Sequence, residues 1–393
     1  MKKVILVRYG EILLKGLNRS MFENKLISNI KKAVKRLGAV DIQKSQARIY
    51  VVPREEDYDF DEAIVSLTKV FGIVSISPVW RIKSDYNIIE EFSLEMAKDL
   101  VKRKGHLTFK VETKRGDKKF PMDSPQISRE LGAFLLKNIP DLSVDVINPQ
   151  FTLYVEVREF TYIYSEIIPA FCGMPSGTNG KAVLLLSGGI DIPAAGWMVA
   201  KRCVEIDAVH FYSYPYTSER AKEKVIELAK ILAQYCHKIN LHIIPFTDIQ
   251  MQIYERCPHE ELTIIMRRIM MKVAEKIANK VGAVALVTGE SIGQVASQTI
   301  QALSVTNAAV DMPVFRPLIG MDKNEIVQIA KKIGTYETSI LPYEDCCTVF
   351  VAKHPVTKPK LQRIKVSESI LDIDQLVNKA VEGAELMVIT AEQ

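Results

Sequence analysis

No stretch of this chain reads as a membrane span: the most apolar window, residues 182–200, carries Asp191 in its middle beside Gly188, Gly189 and Pro193. A secretory leader is missing too, because the apolar run in MKKVILVRYGE is broken by Arg8 and Glu11 and no small-residue cleavage site follows. Cysteine is scarce. The six residues at 172, 203, 236, 257, 346 and 347 have no framework spacing, which excludes a disulfide-stapled scaffold and points to reduced thiols in a cytoplasmic protein. The chain also lacks a large charge of either sign. With a formal net charge of only +5, any affinity for nucleic acid has to come from local clusters of basic residues. Repeats and low-complexity tracts are absent.

What remains is 393 residues with 48% hydrophobic and 25% charged side chains, the composition of a soluble globular protein with two to four cores. Up to residue 82 the periodicities predict strand, helix (about 19–37), two strands, helix (about 59–70) and strand, the order of a ferredoxin-like α+β unit. A second α/β unit, 83–168, opens with an amphipathic helix, then strand HLTFKVET, a helix over about 125–138 and strands near 143–147 and 151–158. Residues 169–182, including FCGMPSGTNGKA, are rich in Gly, Pro and small polar residues and read as a linker. From 183 to 393 the apolar strands AVLLL, IDAVHFY, KINLHIIPF and AVALVTG alternate with helices at about 193–203, 218–236, 260–280 and 293–303, which implies a parallel sheet covered on both faces. A last amphipathic helix is expected over about 374–386.

Ligands of such sheets bind at the carboxyl ends of the strands, and LLLSGGIDIP, residues 184–193, sits at one such end. Backbone amides at a Gly-Gly turn leading into a helix suit an anion, phosphate above all. The ATPase P-loop GxxxxGK[ST] and the dinucleotide motif GxGxxG are both absent, so neither explains the loop. Asp191 has two readings. It is a helix N-cap ahead of Pro193, or it carries a cation such as Mg²⁺ between itself and a polyphosphate.

The loop resembles that of enzymes that cleave ATP between its α and β phosphates. TGESIGQVASQTIQAL (288–303), RPLIGMDKNEIVQIAKKIGTYETSILPYEDCCTVF (316–350) and RYGEILLKGLNRSMFENKL (8–26) narrow the resemblance to the tRNA 4-thiouridine synthetase (ThiI) family, from residue 1 to about 355. The resemblance implies a ferredoxin-like domain, a THUMP RNA-binding domain and a pyrophosphatase (PP-loop) domain. It implies an ATP-dependent tRNA sulfurtransferase that adenylates O4 of a tRNA uridine at position eight and inserts persulfide sulfur to give 4-thiouridine. Sulfur transfer for the thiazole of thiamine is a further implied role.

Carried over residue by residue, the resemblance has Ser187, Gly188 and Gly189 cradle phosphates while Asp191 holds Mg²⁺. Leu185, Leu186, His210 and Phe211 border the adenine, and Arg267, Gly289 and Gln298 stand near the nucleotide. Lys323 fills a further slot of the family pattern, and Cys347 carries the sulfur. Two buried strands, a solvated Arg267 and a surface Lys323 are the structural readings of the same residues; for Cys346, packing as a small hydrophobe is the plausible one. Implied cofactors and partners are ATP, Mg²⁺, tRNA, a cysteine desulfurase, a ThiS-like sulfur carrier and a second copy in a homodimer, with no membrane involved. The family loop reads SGGxDS, whereas here Ile192 stands where the hydroxyl would be, and the chain does not reach the rhodanese-like domain of long members. Those departures keep open a catalytically weak THUMP-type RNA-binding protein. An RNA methyltransferase is disfavoured, since no glycine-rich S-adenosylmethionine loop follows a strand. A cluster-dependent thiolase is disfavoured too, because Cys257 is followed by Pro258, His259 and Glu260 where the CxxC pair would continue.

Eight Lys or Arg between 102 and 119 face only Glu112 and Asp117, a local excess of six. KRGDKKFPMDSPQISREL resembles the THUMP signature, which nominates Lys114, Arg115, Lys118, Lys119 and Phe120 for RNA contact through phosphates and shape. A second basic group runs from Lys15 and Arg19 to Arg36.

Overall fold

The computed structural model describes residues 1–45, 47–343, 346, 349, 350, 352 and 354–391. Two compact units, Met1–Cys172 and Gly173–Gln393, divide the chain. No helix among the described residues is long and apolar enough to cross a membrane.

In the first unit β1 (Lys2–Tyr9), α1 (Arg19–Ala33), β2 (Val40–Ser45), β3 (Arg48–Pro53), α2 (Phe60–Thr68) and β4 (Ile73–Lys83) follow the expected ferredoxin-like order. β1 lies between β3 and β4, antiparallel to both. Then come α3 (Tyr86–Lys104), β5 (Leu107–Arg115), α4 (Ser124–Asn138), β6 (Leu142–Val144), β7 (Phe151–Val157), β8 (Phe160–Tyr164) and β9 (Ile168–Pro169). Side chains fix the helix starts: Asp59, Asp85 and Asp123 each accept from backbone amides of the first turn that follows. All nine strands form one sheet in the order β2-β3-β1-β4-β8-β7-β5-β6, with β9 beside β4. β8, which sequence reasoning missed, closes that sheet by pairing with β4 on one side and β7 on the other.

The second unit contains β10 (Lys181–Leu185), α5 (Asp191–Ala200), β11 (Glu205–Tyr212), α6 (Glu219–Cys236), β12 (Lys238–Pro245), α7 (Thr247–Arg256), α8 (Leu262–Val281), β13 (Ala285–Val287), α9 (Ile300–Asn307) and β14 (Val314–Phe315). It ends with α10 (Lys323–Ile333), α11 (Tyr336–Ser339), α12 (Leu361–Glu368), α13 (Ile373–Glu382) and β15 (Glu385–Thr390). The sheet order is β14-β13-β10-β11-β12-β15, parallel except for β15. β10 and β11 advance in one direction while β13 returns to the other side of β10, so the chain reverses its lateral order at the carboxyl end of β10. Such a reversal opens a crevice where ligands bind.

Three expectations change here. The helix expected over 293–303 is a short 3-10 turn followed by α9, which starts only after the Thr299 side chain caps it. The last helix stops at Glu382, and Glu385–Thr390 adds an antiparallel edge strand. The later part of the expected linker is held against the second unit: Met174 is buried, and the amides of Gly177, Thr178 and Asn179 all donate to the Cys203 carbonyl.

Candidate functional site

Buried β10 runs out at Leu185 and Leu186, and the loop Ser187-Gly188-Gly189-Ile190 turns into α5. Neither glycine of this loop adopts a positive φ. Their value is space: a Cβ on Gly189 would meet only the Ser187 Oγ, at 3.6 Å, leaving the backbone approachable. The Gly189 amide donates to that Oγ at 3.3 Å, and behind the loop Ser339 Oγ donates to the Gly189 carbonyl.

One cavity of about 460 Å³ opens over the loop, within the range of small-molecule sites. Leu185, Leu186, Ser187, Gly189, Asp191, His210, Phe211, Arg267, Gly289 and Gln298 all line it. Residues drawn from segments up to about a hundred positions apart thus converge on one space. His210 Nδ1 donates to the Leu186 carbonyl at 3.1 Å, tying the ends of β10 and β11 together, and Phe211 packs edge-on against Phe246.

Asp191 does not cap α5. It is the first helical residue, Ile190 occupies the cap position without a side-chain bond, and the Asp191 carboxylate accepts instead from Gln294 Nε2 (2.9 Å) and Lys323 Nζ (2.5 Å). Lys323 reaches it because Asp322 and Glu325 form a reciprocal capping box that fixes the start of α10. The Lys323–Asp191 pair joins two of the expected residues across the mouth of the loop.

Arg267 is no solvated surface residue. Its Nη1 donates to Glu290 Oε1 and to the Ser297 carbonyl, each at 3.1 Å. Glu290 is buried, and its other oxygen accepts from Arg316 Nε (2.7 Å) and Thr288 Oγ1 (2.9 Å). One carboxylate of the cavity lining therefore pairs with two guanidinium groups, of which that of Arg267 itself lines the cavity, an arrangement suited to an anionic ligand. Gln298 Oε1 accepts weakly from the Ser291 amide, at 3.4 Å. Gly289 is required by close approach: a Cβ there would lie 2.8 Å from Ile192 Cγ1 and 2.9 Å from both the Asp191 carbonyl carbon and Ile192 Cα.

Cys346 is buried and lines the cavity, in agreement with its reading as a packed small side chain. Cys347 lies outside the described residues. Burial pushes the Cys236 thiol up to about 12, and burial together with the Glu261 and Glu368 charges raises Cys257, which disfavours the reactive thiolate at both. Among the described residues no group of three or more His, Cys, Asp or Glu side chains converges on a point.

In the first unit Lys114, Lys118 and Lys119 are exposed. Arg115 turns inward, its Nη1 donating to the carbonyls of Phe120 (3.1 Å) and Met122 (3.3 Å). Phe120 is buried with Phe109, Ile127 and Leu131, so its ring anchors the basic loop and offers no face to a base. Of the five residues expected to contact RNA, the three lysines are therefore the ones whose side chains face solvent. In the second basic group, Arg19 pairs with Glu23 and Arg36 with Glu62.

Sequence reasoning missed Glu290, Gln294, Ile192 as a lining residue, and the apolar wall of Met270 and Met271. Only TGES, a short acid-bearing segment just past a strand end, signals any of them.

Comparison with known proteins follows the same division of the chain. A family model described as thiamine biosynthesis protein (ThiI) matches residues 177–373, a ThiI ferredoxin-like domain model matches 4–77, and a THUMP domain model matches 83–166. A probable tRNA sulfurtransferase of Acetivibrio thermocellus is 75% identical over 99% of this chain and 100% of its own length. That of Alkaliphilus oremlandii is 54% identical over the whole of both chains. A crystal structure of a 4-thiouridine synthetase–RNA complex with bound ATP superposes with a TM-score of 0.91 at 40% identity, covering 99% of this chain and 100% of that one. A protein from Pyrococcus horikoshii superposes at 0.66 with 26% identity, over 84% of this chain and 99% of its own.

Proposed function

Since the chain belongs to the ThiI family, we infer that its cavity carries out ATP-dependent thiolation of tRNA: the protein is a tRNA sulfurtransferase. One observation carries this reading. The Ser187–Gly189 loop, Asp191 and the Arg267–Glu290 pair meet around one nucleotide-sized cavity at the switch point of a parallel sheet, and Lys323 reaches it by bonding the Asp191 carboxylate.

The finer chemistry belongs to the proposal. A uracil carbonyl oxygen leaves poorly, so the O4 of uridine at position eight first attacks the α-phosphorus of ATP. The α–β bond breaks and pyrophosphate departs. Amides of the Ser187–Gly189 loop and the Arg267 guanidinium receive the charge of that leaving group, and Lys323 bridges it to Asp191. The single carboxylate of Asp191, with phosphate oxygens and water, fits the ligand set of Mg²⁺, which would supply further neutralisation of the polyphosphate. The terminal sulfur of a persulfide on Cys347 then bonds to C4 and AMP leaves with the former O4; a second thiol attacks the Cys347 sulfur, releasing 4-thiouridine and leaving a disulfide between that thiol and Cys347, which an external thiol reduces. His210, Phe211 and the Leu185–Leu186 edge hold the adenine. Lys114, Lys118 and Lys119 meet RNA phosphates on a domain spanning 83–168, between a 1–82 ferredoxin-like domain and the 183–393 catalytic domain.

A cytoplasmic homodimer supplied by a cysteine desulfurase, and serving a ThiS-like carrier for thiamine, completes the reading. It is tested by incubating the protein with ATP, Mg²⁺, tRNA, cysteine and a desulfurase, then measuring pyrophosphate and the thiolated nucleoside. Both are expected. Cys347→Ser should keep pyrophosphate release and lose thiolation; absence of both products from the parent would leave an RNA-binding protein only.

A further inference from the structure

Helix α7 contributes nothing to the wall of the nucleotide cavity, yet two of its side chains reach the cysteine-bearing segment. Gln250 is 2% exposed and its amide is fully engaged. Ser213 Oγ donates to Oε1, while Nε2 donates to the Cys346 carbonyl at 2.8 Å and lies 3.4 Å from Met266 Sδ. With a hydroxyl on its oxygen, the amide has one orientation, NH₂ toward Cys346. That carbonyl is half of the peptide group joining Cys346 to Cys347. One helical turn on, Tyr254 packs on the Phe350 ring with centroids 5.3 Å apart, and Tyr216 meets the same ring at 5.1 Å. Four positions separate Gln250 from Tyr254, so both project from one side of α7. The helix thus grips the chain immediately before Cys347 and again three residues after it.

We infer that α7 clamps the chain on either side of position 347: Gln250, through the Cys346 carbonyl, and Tyr254, through the Phe350 ring, are positioning residues for the sulfur-transfer step, with Ser213 orienting the Gln250 amide. The inference rests on Cys347 as the persulfide carrier. It separates the two halves of the reaction physically. Adenylation uses the loop after β10 and needs neither clamp residue. Sulfur transfer needs the cysteine within attack distance of the activated carbon, where a drift near 1 Å costs about a hundredfold.

The test uses the full chain as Gln250→Met, Tyr254→Ala, Tyr254→Phe and Cys347→Ser. Three rates are measured: pyrophosphate release with ATP, Mg²⁺ and tRNA; thiolation with cysteine and a desulfurase; and thiolation with millimolar sodium sulfide, a nucleophile that needs no protein thiol. Gln250→Met keeps the bulk and removes both hydrogen bonds. It and Tyr254→Ala should release pyrophosphate within about twofold of the parent, lose about tenfold or more of the desulfurase-driven rate, and keep the sulfide-driven one. Tyr254→Phe should restore the parent rate, because the ring contact needs no hydroxyl. If buried Gln250→Met fails to fold and loses all three rates, Tyr254→Ala, at a side chain 43% exposed, decides alone. Parent-level desulfurase-driven thiolation in Tyr254→Ala, or equal loss of all three rates in that variant, overturns the clamp. Thiolation persisting in Cys347→Ser overturns the persulfide assignment instead, whereas its loss there with retention in the clamp variants removes the clamp alone.

Discussion

Adding a single methyl group at Gly289 tests the geometry of the proposed phosphate loop more sharply than removing any charge. The new Cβ would lie 2.8–2.9 Å from three carbons of the first turn of α5, two of them backbone. Carbon atoms prefer about 3.5–4.0 Å, so α5 or the 288–291 segment must retreat by about 0.6–1.2 Å. No rotamer change relieves a backbone clash. The displaced turn carries Asp191 and is continuous with Gly188 and Gly189, so the retreat moves the amides proposed to hold phosphate. A shift of this size costs about a hundredfold in rate, equivalent to about 2.7 kcal/mol at the transition state. Overpacking adds a destabilisation of about 1–3 kcal/mol. Gly289→Ala should therefore release tRNA-dependent pyrophosphate about a hundredfold more slowly while melting only a few degrees lower. Gly320→Ala, where an added Cβ meets nothing within 4 Å, serves as the control and should match the parent. A Gly289→Ala enzyme turning over within twofold of the parent would refute the reasoning.

Three further outcomes follow from other parts of the molecule. Ile192→Ser returns a hydroxyl to the loop wall and should raise pyrophosphate release by up to about tenfold, the worth of one hydrogen bond to a developing charge; an unchanged or slower rate would remove that role. Burial alone would raise the Glu23 carboxyl, but hydrogen bonds from Lys44, Tyr9 and Arg19 outweigh it and hold the group at about 2. A depressed pKa means stability that is present above the ordinary value of 4.5 and lost as pH falls toward 2. Glu23→Gln should thus cost about 2 kcal/mol at pH 7 in denaturant melts, a gap that closes through the acid range; a gap constant with pH would contradict the assignment. Converting Lys114, Lys118 and Lys119 to Gln should lower the slope of log affinity for tRNA against log salt by about 2, whereas an unchanged slope would place the RNA elsewhere.

Much of this was legible in the residues, for local reasons. Strands such as AVLLL and IDAVHFY announce themselves by composition, and SGGID marks a turn at a strand end without reference to anything distant. The failures share a different cause. β8 is a five-residue strand whose assignment depends on pairing with β4 and β7, and β15 likewise depends on pairing with β12, the expected helix running two residues into it although Gly383 offers a stop signal. Glu290 looks like an ordinary acid in a turn; its role comes from Arg267 and Arg316, each more than twenty positions away. Gln250 is more remote still, bonded to a carbonyl 96 positions along the chain. Phe120 illustrates the reverse error, since a motif resemblance nominated it for contact and packing claimed it for the core.

Titrating Mg-ATP into the protein by calorimetry, with and without tRNA, tests the central claim most directly. One nucleotide should bind per chain, and Arg267→Ala should weaken it about tenfold or more by removing the guanidinium at the cavity wall. No heat under either condition, or binding that Arg267→Ala leaves untouched, would contradict a nucleotide held at the end of β10.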